Sequence, residues 1–228
     1  MNENIFESFA PFIQEFIYKN RWTSLYDIQL QAADVLFHSD NNVIISSSTA
    51  SGKSEAAFFP IITRLYNAPI QSIGALYISP LKALINDQYT RIGELLKESG
   101  IPVTHWHGDV STSNKRKLLA QPRGILQITP ESLESMYIHH FDRFCELFGQ
   151  LQYIVIDEIH SFIGTDRGLQ VLSNIIKIET QIKRSVCRIG LSATISDMQG
   201  AARWIGTGSS RKVSVVRENN KARKIRLF

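Results

Sequence analysis

Val43-Ile44-Ile45-Ser46-Ser47-Ser48-Thr49-Ala50-Ser51-Gly52-Lys53-Ser54 is the stretch on which the reading of this sequence turns. It opens as a short β-branched run, passes through small polar residues, and leads into a helix-compatible segment over residues 53–66. A strand that runs through such a loop into a helix suits phosphate. Gly52 lets the backbone turn close to the ligand, and the first amides of the next helix point at it. Lys53 is placed to reach the β- and γ-phosphates of a nucleotide, and the Ser54 hydroxyl to ligate Mg²⁺. The full pattern asks for glycine at position 47, where this chain has Ser47. The competing reading is an ordinary strand-turn-helix with a surface lysine, and the strand before and helix after weigh against it.

Working outward, the alternation repeats. Strand-like runs fall at residues 73–78, 103–106, 125–128, 153–156 and 186–191. Helical spacing lies between them, as in Leu81, Leu84, Ile85, Ile92, Leu95 and Leu96, and again in Leu169, Leu172, Ile175, Ile176 and Ile182. Continuous apolar strands alternating with helices predict an α/β domain with a mostly parallel sheet and helices on both faces. Ile5, Phe6, Phe9, Phe12, Ile13, Phe16 and Ile17 share a 3.6-residue period and predict one amphipathic N-terminal helix. A second helix is expected over residues 28–37. The organisation read from this is N-terminal helices over residues 1–40, an α/β domain over 41–216 closing with an edge strand at 213–216, and a polar exit segment over 217–228.

Composition bounds the function classes. The chain has 228 residues, 43% hydrophobic and 20% charged, which fits one large or two small globular domains and excludes wholesale disorder. No apolar run approaches the ~20 residues of a membrane span. Residues 1–10 hold Glu3 and Glu7 and no basic residue, so a secretory signal is absent. Cys145 and Cys187 cannot make a disulfide framework; both read as buried small hydrophobes, and a reducing, cytoplasmic setting fits. The net charge of +4 hints at nucleic acid. However, residues 211–228 alone hold seven basic groups against one acidic, leaving 18 basic and 20 acidic groups elsewhere. The charge is therefore no evidence for a basic groove.

A nucleotide loop needs a second metal contact and a group to orient water. The run 153–156 ends in Asp157-Glu158-Ile159-His160. Two carboxylates at the end of a buried strand are costly unless a cation or donors compensate. Asp157 is the Mg²⁺ candidate and Glu158 the candidate base; a helix-start acidic pair is the plainer alternative. His105 and His107 alternate and face one side, but lack the further ligands zinc needs. His139-His140 reads as a solvated helix end, and Lys115-Arg116-Lys117 as a basic run on a surface helix. Arg167 is read as either a strand contact or a structural ion pair.

Taken in order, Gln29, SSSTASGKS, SPLKAL, TPESL, DEIH and SAT resemble the first RecA-like domain of superfamily 2 helicases, the DEAD/DExH-box group. STASGKSEAA, YISPLKALINDQ, VIDEIHSFIGTDRG and IGLSATISDMQGAARWIG resemble the large-helicase-related (Lhr-like) branch. The resemblance implies ATP and Mg²⁺ as cofactors, with Lys53, Asp157 and Glu158 catalytic and Ser54 and Asp157 on the metal. Gln29 then reads the adenine edge, and Thr49, Ala50, Ser51, Gly52, Lys53 and Ser54 cradle phosphates. Pro80, Lys82, Gly108, Thr129, Pro130 and Glu131 line the backbone of single-stranded or partly duplex nucleic acid, DNA favoured over RNA. His160, Ser192 and Thr194 couple the two sites. The His that ends DEIH departs from the strict DEAD pattern. Such motors use a second RecA-like domain, whose motifs do not follow within the 34 residues after Thr194. The resemblance implies that this chain alone binds ATP weakly and hydrolyses it poorly. The rival is a catalytically incomplete, regulatory ATP-binding module that acts through partners.

Overall fold

The computed structural model describes residues 5–48, 51–193 and 195–218. Among them, strands β1 (Asn42–Ser46), β2 (Ile73–Ile78), β3 (Val103–Trp106), β4 (Gly124–Ile128), β5 (Tyr153–Ile156), β6 (Cys187–Ser192) and β7 (Val213–Arg217) form one sheet. The order is β3-β4-β2-β5-β6-β1-β7. Every pairing is parallel, including that of the edge strand β7 with β1.

Parallel neighbours need long crossovers, and helices supply them. They are α4 (Lys53–Asn67), α5 (Lys82–Leu96), α6 (Thr112–Ala120), α7 (Pro130–His139), α8 (Phe144–Phe148), α9 (Asp166–Ile182) and α10 (Met198–Gly206). Three more precede the sheet: α1 (Ile5–Ser8), α2 (Pro11–Lys19) and α3 (Asp27–His38). Side chains alternate along each strand, so each strand feeds two cores. Val43, Ile45, Val155 and Ile189 pack with Ile13, Ala33, Phe59 and Ile85. Ile44, Leu76, Ile154 and Ile156 pack on the other face with Leu133, Phe148, Ile175 and Ile205. Burial on both faces explains why the strands read as unbroken apolar runs rather than alternating ones. None of the helices is long and apolar enough to cross a membrane.

Two sequence readings are corrected here. The N-terminal helix is two helices, because Ala10 is extended (φ −56°, ψ 145°) and Pro11 starts α2. Proline disfavours the α region in the residue before it, so the chain breaks there although the apolar period continues across it. Cys145 is exposed. Within α8 it is Phe144, Leu147 and Phe148 that turn inward, and Cys145 lies about 100° off that stripe. Cys187 is buried as read, and burial pushes its thiol pKa up to about 12.

The end of the sheet away from the strand C-termini is locked by a buried ion pair. Arg188 of β6 donates to Glu179 Oε2 of α9 (2.6 Å) and to the carbonyls of Ile205 (3.0 Å) and Thr207 (2.6 Å). Glu179 Oε1 accepts from Val186 N (2.8 Å). Removing one partner strands a buried charge, whereas replacing both does not. Glu179→Ala should therefore lower the urea unfolding free energy by about 3–5 kcal/mol, and Glu179→Leu with Arg188→Met by much less.

Candidate functional site

Because the strands are parallel, the loops after β1, β2, β3, β4, β5 and β6 all open at one end of the sheet. Gly52 sits at the start of α4 with φ 77°, and an added Cβ there would lie 2.4 Å from Gln29 Nε2. Only glycine fits this combination of left-handed backbone and close approach. The buried Ser47 hydroxyl, where the usual pattern has glycine, bonds the Ser51 hydroxyl, and Ser51 donates to the Ser48 carbonyl (2.7 Å). Lys53 Nζ donates to the carbonyls of Ser47 (2.9 Å) and Ser48 (2.7 Å). Burial lowers the Lys53 pKa, against the opposite pull of Glu158, Asp157 and Glu218. Gln29 is buried; its Oε1 accepts from Tyr26 N (2.9 Å), and its Nε2 faces Gly52 without a hydrogen bond. Thr49 and Ala50 lie outside the described residues.

Asp157 and Glu158 leave β5 two strands from β1. Asp157 Oδ1 accepts from Glu158 N (3.0 Å), and Oδ2 from the Tyr77 hydroxyl of β2. Burial raises the Asp157 pKa, outweighing the Tyr77 bond that lowers it. Glu158 holds φ 49° and ψ 48°, a left-handed conformation that costs a non-glycine residue about 1–3 kcal/mol. His160 Nδ1 lies 2.9 Å from Ser192 Oγ and 3.2 Å from Glu158 Oε2. Hydrogen-bond geometry is met only toward Ser192, so the buried Glu158 Oε2 is left open. The loop after β6 touches the end of β1 and the loop that follows it: Ser46 Oγ donates to the Ala193 carbonyl (3.1 Å) and Ser47 N to that of Ser192 (3.3 Å). Thr194 lies outside the described residues.

The loops after β2, β3 and β4 gather on the other half of the same end. Lys82, the first residue of α5, is held by both carboxylate oxygens of Asp109 at 3.0 Å, and its Nζ would be 3.4 Å from a Cβ at Gly108. Thr129 is spent as a helix cap, accepting from Ser132 N (3.3 Å), and Pro130 is the buried first residue of α7. Glu131 takes a forked ion pair from Arg167 (2.6 and 3.1 Å), which also donates to the Pro80 carbonyl (2.8 Å). Arg167 is thus a structural ion pair that fastens two loops. The His105 and His107 rings lie 5.2 Å apart, but no cluster of metal ligands surrounds them among the described residues.

Three residues of this region escape a reading of the sequence alone. Tyr77 reaches Asp157, Gln88 of α5 donates to Ser54 Oγ, and Glu218 accepts from Ser48 N (3.3 Å) and Ser48 Oγ (3.0 Å). The available signals were a hydroxyl in an aliphatic strand and an amide on the apolar face of a helix.

Comparison with known proteins decides the family. Residues 26–201 match the model of the DEAD/DEAH box helicase family. The chain belongs to the DEAD/DEAH box helicase family. It is 31% identical to the ATP-dependent helicase Lhr-Core of Saccharolobus solfataricus, over 94% of this chain and 26% of that protein. Among solved structures it resembles the Mycobacterium smegmatis helicase Lhr bound to single-stranded DNA and AMP-PNP (TM-score 0.81, 26% identity, 95% of this chain and 28% of that one). It also resembles the helicase MrfA bound to DNA (TM-score 0.81, 27% identity, 93% and 30% covered). The fold is that of RecA-like helicase domains. The chain spans about a quarter of the length of the curated relatives it matches.

A carboxyl whose pKa rises on folding stabilises the fold below the ordinary carboxylate range, and that contribution is lost as pH climbs through the raised value. In nucleotide-free protein, Asp157→Asn should therefore melt above the parent at neutral pH, and the gap should close below about pH 4. A gap that ignores pH in differential scanning calorimetry would contradict burial as the source of the shift.

Proposed function

We propose that this chain is the first motor lobe of an ATP-dependent helicase or translocase. It binds Mg-ATP on the β5-β6-β1 half of the sheet and the backbone of single-stranded nucleic acid on the β3-β4-β2 half. The observation that carries this reading is strand order: the loops after β1 and β5, with Lys53, Ser54, Asp157 and Glu158, lie on one half of the sheet end, and those after β2, β3 and β4, with Lys82, Gly108 and Thr129, on the other.

The donor set fits Mg²⁺. Ser54 and Asp157 offer hard oxygens, and a cation relieves the cost of keeping Asp157 ionised while buried. When bound there, Mg²⁺ would offset the negative charge that develops on the phosphates in transfer. Lys53 exchanges its own loop carbonyls for phosphate oxygens, and Ser51 and Gly52 present backbone amides; the resemblance assigns Thr49 and Ala50 to the same cradle. Glu158, with Oε2 open, orients water and accepts its proton. Gln29 offers the free Nε2 donor to adenine. His160 and Ser192, bonded to each other within the nucleotide half, are the candidates for coupling it to the strand half, as the resemblance also implies for Thr194.

Along the strand site, α5 has Leu81 at its N-cap and so no side-chain cap. Its open amides and the charge of Lys82 suit one phosphate once Asp109 is displaced. Pro80, Gly108, Thr129 and Pro130 shape the adjacent surface. Glu131, neutralised by Arg167, contributes its backbone rather than its carboxylate. These are contacts to phosphate and sugar, which carry little sequence information. The DNA-bound relatives favour DNA over RNA. A second RecA-like domain in the full-length protein completes the site, and the isolated lobe hydrolyses ATP poorly. A regulatory ATP-binding module without unwinding is the alternative; the complete Lys53, Asp157 and Glu158 set speaks against it.

In the full-length protein, Glu158→Gln should cut strand-stimulated ATP hydrolysis by about 10²-fold or more while nucleotide still binds. An unchanged stimulated rate would remove Glu158 from the chemistry. Binding to single strands should fall steeply with salt, and Lys82→Ala should make the log–log slope shallower by about 0.7, one phosphate contact. A slope equal to the parent's would take Lys82 off the strand.

A further inference from the structure

We infer that Tyr77 and Gln88 are positioning residues for the divalent cation. They hold its two proposed ligands, Asp157 and Ser54, from the strand and helix that flank the Ser79-Pro80-Leu81 loop, and so tie nucleic-acid binding to cation binding. The inference rests on the nucleotide site proposed above.

Tyr77 is the one hydroxyl-bearing residue of an otherwise aliphatic β2, and it is wholly buried. Its hydroxyl donates to Asp157 Oδ2 while the Glu158 amide donates to Oδ1. Each carboxylate oxygen is thereby aimed by one hydrogen bond and keeps a lone pair.

Gln88 lies on the inward face of α5, between Ile85 and Ile92. An apolar side chain would suit that face, yet a buried amide reaches across to Ser54 Oγ on α4 and leaves its own Oε1 without a partner. Such an unsatisfied buried group opposes folding. A merely structural role gives no return for that cost; fixing the Ser54 hydroxyl does. A hydroxyl has two lone pairs and one proton, so the Gln88 bond leaves one lone pair for the cation.

Both supports belong to a single stretch, residues 77–88, whose middle is the strand-facing loop. Lys82 begins α5 and Gln88 lies six residues further on, about 9 Å along a rigid helix. When Lys82 leaves Asp109 for a phosphate, α5 carries Gln88 with it. Coupling between sites is reciprocal, so strand binding should tighten the cation and the cation should tighten the strand.

The test is an Mg²⁺ titration of binding of a fluorescent, non-hydrolysable ATP analogue to the full-length protein, with and without oligo(dT). In the parent, oligo(dT) should lower the Mg²⁺ midpoint. Gln88→Ala and Tyr77→Phe should each raise that midpoint about 10-fold, the usual effect of losing an outer-shell partner, and abolish the oligo(dT) effect. Mg²⁺-free nucleotide affinity and the melting temperature should stay near the parental values, which separates positioning from a folding defect. Gln88→Asn, one methylene short, should not rescue. Variant midpoints within about twofold of the parent would overturn the inference. So would an oligo(dT) effect that is the same in parent and variants. A parent that shows no Mg²⁺-dependent binding would instead refute the nucleotide site itself, and the inference with it.

Discussion

Parallel pairing is the constraint on which the rest depends. Seven strands running the same way send every loop from a strand C-terminus to one end of the sheet, and the helices that return the chain cover both faces. Position along that end is then set by strand order alone. β1 and β5 are not neighbours; β6 lies between them, which is why the Ser192-Ala193 backbone touches the loop after β1 while His160 reaches Ser192. β2 adjoins β5 across the middle of the sheet, and that adjacency brings Tyr77 to Asp157. The line between the two halves of the site is the β2–β5 seam.

This end of the sheet carries local strain and unmet charge. Glu158 adopts a left-handed backbone, Asp157 is buried with a raised pKa, Lys53 is turned onto its own loop carbonyls, and Gln29 and Gln88 each bury an unpaired amide atom. These features oppose stability one by one. They are sustained by cores whose aliphatic residues are almost completely buried, and by the Arg188–Glu179 lock at the far end. Burial energy from the body of the fold is what permits a poised but unsatisfied site.

The strands and the strand-loop-helix context of Gly52-Lys53-Ser54 were legible because both signals are local: β-branched runs and punctuating small residues. The break at Pro11 was also written locally, but the apolar period runs across it and the periodic reading absorbed it. Cys145 misled for the opposite reason, being apolar in character yet one position off the inward stripe of a very short helix. Tyr77, Gln88 and Glu218 could not be found by spacing. Their roles depend on β2 lying beside β5, α5 crossing α4, and β7 closing onto β1, which are facts of strand order rather than of neighbouring residues. Arg167 was open between two readings until its fork was seen on Glu131 and Pro80.

The Arg188–Glu179 lock has a consequence for how the molecule breathes. It ties β6 to α9 and to the carbonyls that end α10, at the end of the sheet opposite the site. Opening there requires separating buried charges, whereas opening at the loop end gives up few bonds. Amide hydrogen exchange should therefore be graded along single strands: slow through β6 and β1 near Arg188, faster toward Ser192 and Ser46. β6 is anchored at one end and freer to yield at the other, so the loops can rearrange on ligands while the sheet stays folded.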